Sequence, residues 1–298
     1  MLTPKDKIDA GGNRNIQVVV TTGCDLFRCS NCTQLLPFRR DYRHMTLDCF
    51  REAVASLSDW PGVVALFGGN PCVHPRFPEL CAILAAAVPP ARRGLWTNNL
   101  RDHGKIAAET FGKGVLNLNA HGDMDAYRAM DRFFPGRVIR ESGSRASWHS
   151  PILLAWADLG VTRAAWEGAR ESCDLNREWS AAIKQGPDGK PRAYFCEVAA
   201  SIDGIRGTDN GVPAVPGWWK APMAAYEGQV KHCCDAGCGV PLRRLGHLDK
   251  DATYDVSPSW LAFMKPATAV ETVVHHELPA PTANAVDYLA RKTEKPLA

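Results

Sequence analysis

Cys24, Cys29 and Cys32 stand at C-x4-C-x2-C spacing directly after an apolar run, Ile16 to Thr22 (IQVVVTT). Three thiolates in one loop can bind three corners of an iron-sulfur cluster and leave the fourth iron open to another ligand. The same spacing suits a plant-type 2Fe-2S ferredoxin, a structural zinc site with a fourth ligand elsewhere, or thiols with no shared role. A second set comes late in the chain. Cys173 and Cys196 bracket a glycine as C-x15-G-x6-C, and Cys233, Cys234 and Cys238 form a C-C-x3-C run. Four of these five could hold another cluster or a zinc ion.

The elements around the first loop favour an enzyme over a small electron carrier, because strand-like and helix-like segments alternate from it as in α/β folds. Thr46 is placed to cap a helix carrying Leu47, Phe50, Val54 and Leu57 on one face. Gly62 to Phe67 is a buried strand ending in Gly68-Gly69-Asn70-Pro71, and a helix with Phe77, Leu80, Cys81 and Leu84 on one face follows. Gly94 to Thr97 is a third strand, ending in Asn98-Asn99. Val115 to Ala120 is a fourth, whose alternation puts Asn117, Asn119 and His121 on one face and Leu116 and Leu118 on the other. Arg137 to Arg140 reads as a fifth. Cys49 and Cys81 lie on helical stripes and are expected as small core residues.

Parallel strands that each end in a polar or glycine-rich turn point to a β/α barrel or part of one. The polar stretch Glu141 to Ser150 then reads as a boundary. Beyond it, Pro151 to Ala157 and Val161 to Ser172 are helix-like. Glu178 to Lys184 and Arg192 to Val198 flank Gly186-Pro187-Asp188-Gly189, which is hairpin chemistry. Ala221 to Lys231 reads as a helix leading into the late cysteines. From about Leu248 the chain has few periodic signals and is expected to wrap the surface or be partly disordered.

Composition narrows the function classes. The 298 residues are 45% hydrophobic and 22% charged, with a formal net charge of +3. That is ordinary for a globular protein and gives no basic stripe for nucleic acid. No apolar run reaches membrane-spanning length, and the polar N-terminus lacks a signal-peptide core, so the expected location is the cytoplasm. There the eleven cysteines would be reduced, and clustered ones are better read as metal ligands than as disulfides.

Taken together, the cysteine loop after the first strand, the GGNP turn after the second and the Thr97-Asn98 pair after the third resemble the radical S-adenosylmethionine (SAM) enzymes, over about residues 16 to 140. The resemblance implies that Cys24, Cys29 and Cys32 hold a 4Fe-4S cluster whose open iron binds SAM. It implies SAM contacts at Gly68, Gly69, Asn70, Pro71, Thr97, Asn98 and Asn119, and reductive cleavage of SAM to a 5'-deoxyadenosyl radical that abstracts hydrogen from a substrate. This sequence has four residues, not three, between its first two cysteines. Asn31 stands where an aromatic residue commonly precedes the last cysteine, and Asn70 stands where the family has glutamate.

The late cysteines look like a twitch domain, the shorter relative of the SPASM domain. That likeness implies an auxiliary 4Fe-4S cluster on four of these thiols; the C-x3-C spacing favours Cys173, Cys196, Cys234 and Cys238 with Cys233 spare, and Cys233 and Cys234 could be exchanged. The expected architecture is therefore α/β: a partial (β/α)6 barrel at 1–148, a small C-terminal iron-sulfur subdomain at 149–245 and an irregular extension at 246–298. The expected activity is oxidation or epimerisation of a sugar or aminocyclitol carbon, with a ribosomally made peptide as the alternative substrate. The expected partners are a small molecule or peptide and an external one-electron reductant of flavodoxin or ferredoxin type, with neither nucleic acid nor membrane. The rival class is an electron carrier or a zinc-stabilised binding module. The aromatic pair Trp218-Trp219 could stack on either substrate, and Cys72 and His74 lie near the expected active face.

Overall fold

The computed structural model describes residues 1–9, 14–26, 29–140, 151–171, 173, 181–242, 253–264 and 270–277. Its centre is β1 (Asn15–Thr21), whose residues from Ile16 onward are all buried. A strand this apolar on both faces is stable only between neighbours. It pairs in parallel with β2 (Val63–Gly68) on one side and with β6 (Ala181–Gln185) on the other. Outward from β2 run β3 (Arg93–Thr97), β4 (Val115–Asn119) and β5 (Val138–Ile139), each parallel to the last.

After α1 (Pro4–Asp9), the first two connecting helices form where sequence periodicity places them. In α2 (Leu47–Ala55) the Thr46 hydroxyl accepts from the Cys49 amide at 3.2 Å, and Phe50 and Val54 are buried with Leu57 just beyond. In α3 (Phe77–Ala87), Phe77, Leu80, Cys81 and Leu84 face the core. After α4 (Gly104–Phe111), α5 (Met124–Asp131) begins at Asp123, whose carboxylate accepts from the amides of Asp125 and Ala126, both at 3.0 Å. Cys49 and Cys81 are core residues, each 1% exposed.

The chain is thus α/β with a mostly parallel central sheet of order β5-β4-β3-β2-β1-β6-β7-β8. A (β/α)6 winding places the sixth strand beyond the fifth. Here the sixth parallel strand lies against β1 instead, and β5 is left at an edge. The expected hairpin forms between β6 and β7 (Pro191–Tyr194), with β8 (Val212–Pro213) after it. It extends the same sheet and does not stand apart from it. It leads straight into α7 (Glu197–Arg206), with Cys196 at the helix N-cap.

Three sequence expectations differ from the structure. Pro151 to Ala157 is not helical: Leu153 bridges to Val256, and the first helical turn is Trp156–Leu159. Apolar content alone cannot separate a buried extended segment from a helix. α6 (Arg163–Glu171) forms where a helix is expected at Val161–Ser172, whereas the helix expected at Ala221–Lys231 is divided into a 3-10 turn (Met223–Tyr226), a single α turn (Glu227–Gln229) and a π turn (Val230–Cys234). The third difference is in the C-terminal region, which contains a fully buried strand, β9 (Thr253–Val256), paired in parallel with β10 (Glu271–Val274). The boundary expected at 141–150 lies outside the described residues. Among those described, no helix is long and apolar enough to cross a membrane.

Gly68 carries the closest backbone approach in the sheet. Its φ is +131°, and a Cβ there would meet the Thr21 carbonyl oxygen at 2.0 Å. The neighbouring Gly69 is equally confined, since a Cβ would meet the Gly23 oxygen at 2.1 Å. Gly68→Ala is expected to destabilise the protein by about 2 kcal/mol or more, because positive-φ strain of ~1–3 kcal/mol adds to the backbone clash. Urea denaturation measures this, and an unchanged midpoint would show that β1 and β2 need not approach so closely.

Candidate active site

One cavity of about 410 Å³ opens where the parallel strands end. Its walls come from matching positions of successive strands: Gln17 on β1, Phe67 on β2, Trp96 on β3, and Asn117 and Asn119 on β4. The ladder fixes this, since Val19 pairs with Phe67 and Trp96 with Asn117, so all lie on one face of the sheet. The alternation read from sequence is therefore realised, with Asn117, Asn119 and His121 on the cavity and Leu118 buried behind it.

Cys24, Cys29 and Cys32 line the same cavity, along with Gly68, Gly69, Thr97 and Asn98. Asn98 donates from Nδ2 to the Cys24 sulfur at 3.4 Å. The His121 ring lies 3.9 Å from the Cys29 sulfur, and burial lowers its pKa so that the ring favours the neutral form. Burial pushes the Cys32 thiol up to about 12. A thiol so disfavoured as an anion becomes a thiolate where a cation compensates it.

Asn70 and Pro71 are not on the cavity wall. Asn70 is fully buried, and its side chain is used internally on every side. Its Oδ1 accepts from the Thr97 hydroxyl at 2.6 Å and the Cys72 amide at 3.1 Å, while Nδ2 donates to Asp25 Oδ1 at 3.1 Å and the Asn99 carbonyl at 3.0 Å. The acceptor expected to face a ligand is instead a tie between the cysteine loop, the GGNP turn and the end of β3. Asn31 has a similar part: at φ 48° it donates to Asp255 Oδ2 at 2.7 Å and accepts from the Asp255 amide at 2.9 Å, which binds the loop to β9.

Residues that sequence reasoning missed complete the cavity: Gln17, Thr33, Gln34 and Glu197. Glu197 is 1% exposed, and neither carboxyl oxygen has a partner within hydrogen-bonding distance. Burial pushes its carboxyl up to about 8, against the opposing influence of Thr33, Lys7 and Gln17. Cys72 and His74 are structural. His74 Nε2 meets the Met45 carbonyl at 2.9 Å and its Nδ1 accepts from Arg76 N, and Cys72 is buried behind Thr97. Trp218 and Trp219 are buried too, with Trp219 edge-on to Trp60 and donating to Asp59, so neither is available for stacking.

The late cysteines converge on a second, apolar chamber. Cys173, Cys196, Cys233, Cys234 and Cys238 line it with Phe195, Val198, Ala199, Ile202 and Val240. Cys233 and Cys234 belong to a π-helical turn, Val230–Cys234. Gln229 locks this turn to the hairpin, donating to the Ala193 carbonyl at 2.9 Å and accepting from the Phe195 amide at 3.2 Å. Burial and the neighbouring thiols raise the pKa of both Cys234 and Cys238.

Among the described residues, no three His, Cys, Asp or Glu side chains close on a single metal ion. Tetrahedral zinc requires such closure. An iron-sulfur cluster does not, since each thiolate binds a different iron and the ligands stand further apart. The donor sets therefore fit clusters better than zinc: three thiols on an open polar cavity, and five in an apolar chamber.

The two asparagines make a direct test of these roles. Asn70→Ala leaves the Cys72 amide without its acceptor in the interior and removes the bonds to Asp25 and Asn99, and is expected to cost about 2 kcal/mol, at ~1–3 kcal/mol per buried unpaired group. Asn98→Ala should cost less than about 1 kcal/mol, since it gives up one weak bond to sulfur and removes an unpaired oxygen. Equal losses in urea denaturation would overturn this assignment of a structural and a ligand-facing asparagine.

No family model matches the chain, and no curated protein matches it. Among solved structures it is similar to the crystal structure of BtrN in complex with AdoMet and 2-DOIA, with TM-score 0.47 and 15% identity over 75% of this chain and 87% of that one. It is also similar to selenomethionine BtrN in an open conformation, with TM-score 0.41 and 14% identity over 75% and 86% of the two chains.

Proposed function

We propose that this protein is a radical SAM enzyme. The observation that carries the reading is the convergence of Cys24, Cys29 and Cys32 with Gly68, Gly69, Thr97 and Asn98 on one cavity at the carboxyl ends of parallel strands. With its cofactors bound, the site would have a 4Fe-4S cluster supply the electron that cleaves SAM to a hydrogen-abstracting 5'-deoxyadenosyl radical. The chain's own part is to place and shield. Asn98 orients the Cys24 sulfur, and Gly69 brings backbone within reach of a bound ligand because no side chain intervenes. Asn119 lies on the far wall, and the enclosing strands keep bulk water from the reacting atoms.

In the same reading the second chamber is a twitch-like auxiliary site with a 4Fe-4S cluster on Cys173, Cys196, Cys234 and Cys238. Support comes from its apolar lining and from the neighbours of the two adjacent cysteines. Beyond burial, the other thiols, Cys238 foremost, act on Cys234, whereas the charged groups Asp203, Arg206 and Lys184 act on Cys233 more than any thiol does. In this reading Cys234 is the ligand and Cys233 the spare thiol. A fully ligated cluster can take an electron from a substrate radical, so the favoured reaction is oxidation over epimerisation, with an external one-electron reductant of flavodoxin or ferredoxin type. The favoured substrate is a sugar or aminocyclitol, with a ribosomally made peptide as the alternative.

Anaerobic reconstitution followed by a 5'-deoxyadenosine assay tests the reading. The wild type should form 5'-deoxyadenosine from SAM and dithionite, and the C24A/C29A/C32A variant should form none while retaining about four irons, the content of one 4Fe-4S cluster. Reductive SAM cleavage by the triple variant would refute the first assignment. Its binding of zinc, or of no iron, would refute the second.

A further inference from the structure

Buried polar side-chain atoms in a folded protein nearly always have partners. Gln34 departs from this twice over: it is 2% exposed, and neither its Oε1 nor its Nε2 has a hydrogen-bond partner. Among the described residues no other buried amide side chain leaves both atoms unpaired, since Gln17 and Asn98 on the same cavity each leave only an oxygen. Gln34 lies on the cavity wall, in the loop that carries the cysteines.

The backbone holds it there. The Leu35 amide donates to the Cys32 carbonyl at 2.9 Å, which closes a turn with Thr33 and Gln34 at its corners. The amides of Gln34, Leu35 and Leu36 also bear on the Cys32 sulfur, so the side chain of Gln34 starts from a fixed point beside a cysteine. Leu35 leaves the turn at φ 50°, an uncommon conformation for a bulky residue, and such strain gathers at ligand sites. Asn31, earlier in the loop, has its side chain bonded to Asp255 and brings no ring to the cavity. Leu36 and Phe67 do supply apolar surface there, and flat heteroaromatic rings stack on faces of that kind.

A primary amide holds a donor and an acceptor side by side in one plane. The matching ligand edge has an acceptor and a donor in one plane as well. Hydroxyls on a saturated ring are not coplanar, whereas adenine presents such an edge in its 6-amino group and the adjacent ring nitrogen, and a glutamine amide pairs with it through two hydrogen bonds. We propose that Gln34 reads the 6-amino edge of the SAM adenine through its side-chain amide and so determines which base the cofactor site accepts. The assignment deepens the radical SAM reading and rests on it in taking this cavity as the SAM site. Gln34 is a specificity-determining residue and takes no part in the chemistry.

The test uses S-adenosylhomocysteine and its 6-deamino analogue, which differ only in the amino group, titrated calorimetrically into the full chain reconstituted anaerobically. Wild type is expected to bind S-adenosylhomocysteine about tenfold more tightly, the discrimination of a good bidentate pair. Gln34→Leu should weaken S-adenosylhomocysteine by about tenfold and the analogue by less, so that the preference is erased. Because Gln34→Leu removes two unpaired buried atoms, its urea midpoint should be unchanged or raised. That readout separates a lost contact from a damaged fold, and Gln34→Met repeats the test with a more adaptable side chain. Equal affinity of wild type for the two ligands, or a preference that survives both substitutions, overturns the proposal. So does a lowered midpoint with equal losses for both ligands, which would make Gln34 a structural residue. If wild type forms 5'-deoxyadenosine from SAM but shows no preference, the Gln34 assignment alone falls. If it cleaves no SAM yet shows a Gln34-dependent preference, the base-reading role stands and the radical reading falls.

Discussion

The site depends on a close backbone contact. The end of β2 presses against the end of β1 and the start of the cysteine loop, and only residues without a Cβ permit it at Gly68 and Gly69. The Gly69 amide then reaches the Thr21 carbonyl at 3.0 Å, and the Asn70 amide reaches the Gly23 carbonyl at 2.8 Å. Asn70 turns this contact into a three-way tie, because its buried amide is bonded at once to Asp25, Cys72, Thr97 and Asn99. The first cysteine loop, the second strand and the third strand therefore keep one geometry. An irregular loop of polar backbone held this firmly can present thiols to a cofactor, which the same loop left free in solvent could not do.

A second tie comes from the other end of the chain. β9 is buried throughout and takes hold of the loop at Asn31, with Thr253 accepting the Asn31 amide at 3.0 Å and Asp255 bonded to its side chain. Phe38 and Tyr254 stack edge to face at 4.9 Å beside it. A loop that runs Cys29-Ser30-Asn31-Cys32 has little apolar surface of its own to bury. Its order must come from partners elsewhere, and here these lie more than two hundred residues away in sequence.

Legibility in the sequence followed the range of the interactions. Strands β1 to β4 and helices α2 and α3 could be read because their signals are local: apolar runs, a threonine cap, helical spacing. The hairpin was equally plain from Gly186-Pro187-Asp188-Gly189. What could not be read was its docking beside β1, since parallel pairing of Ile16 with Ala181 leaves no mark in either segment. β9 was hidden for the same reason, because four residues (TYDV) give too short a period to separate a buried strand from a tail. At the site, the cysteines and the GG turn announced themselves by type and spacing. Asn70 misled because a polar residue in a glycine turn looks like a ligand contact, and only the structure shows its bonds already taken. Gln17 and Glu197 were missed as single polar residues in apolar segments, where their meaning depends on what faces them across the sheet.

That meaning is clearest at the start of α7. Cys196 is the helix N-cap and faces the apolar chamber of the late cysteines, while Glu197, the next residue, faces the polar cavity of the early ones. Adjacent Cα atoms are about 3.8 Å apart, so the two chambers share a wall one residue thick at this point. Lys7 reinforces it from behind: buried, it donates to the Phe195 carbonyl at 2.7 Å and lies near Cys173, Cys196 and Glu197 together. The covalent backbone therefore fixes the spacing of Glu197 and Cys196 and, with it, the placement of the two chambers relative to each other at this point.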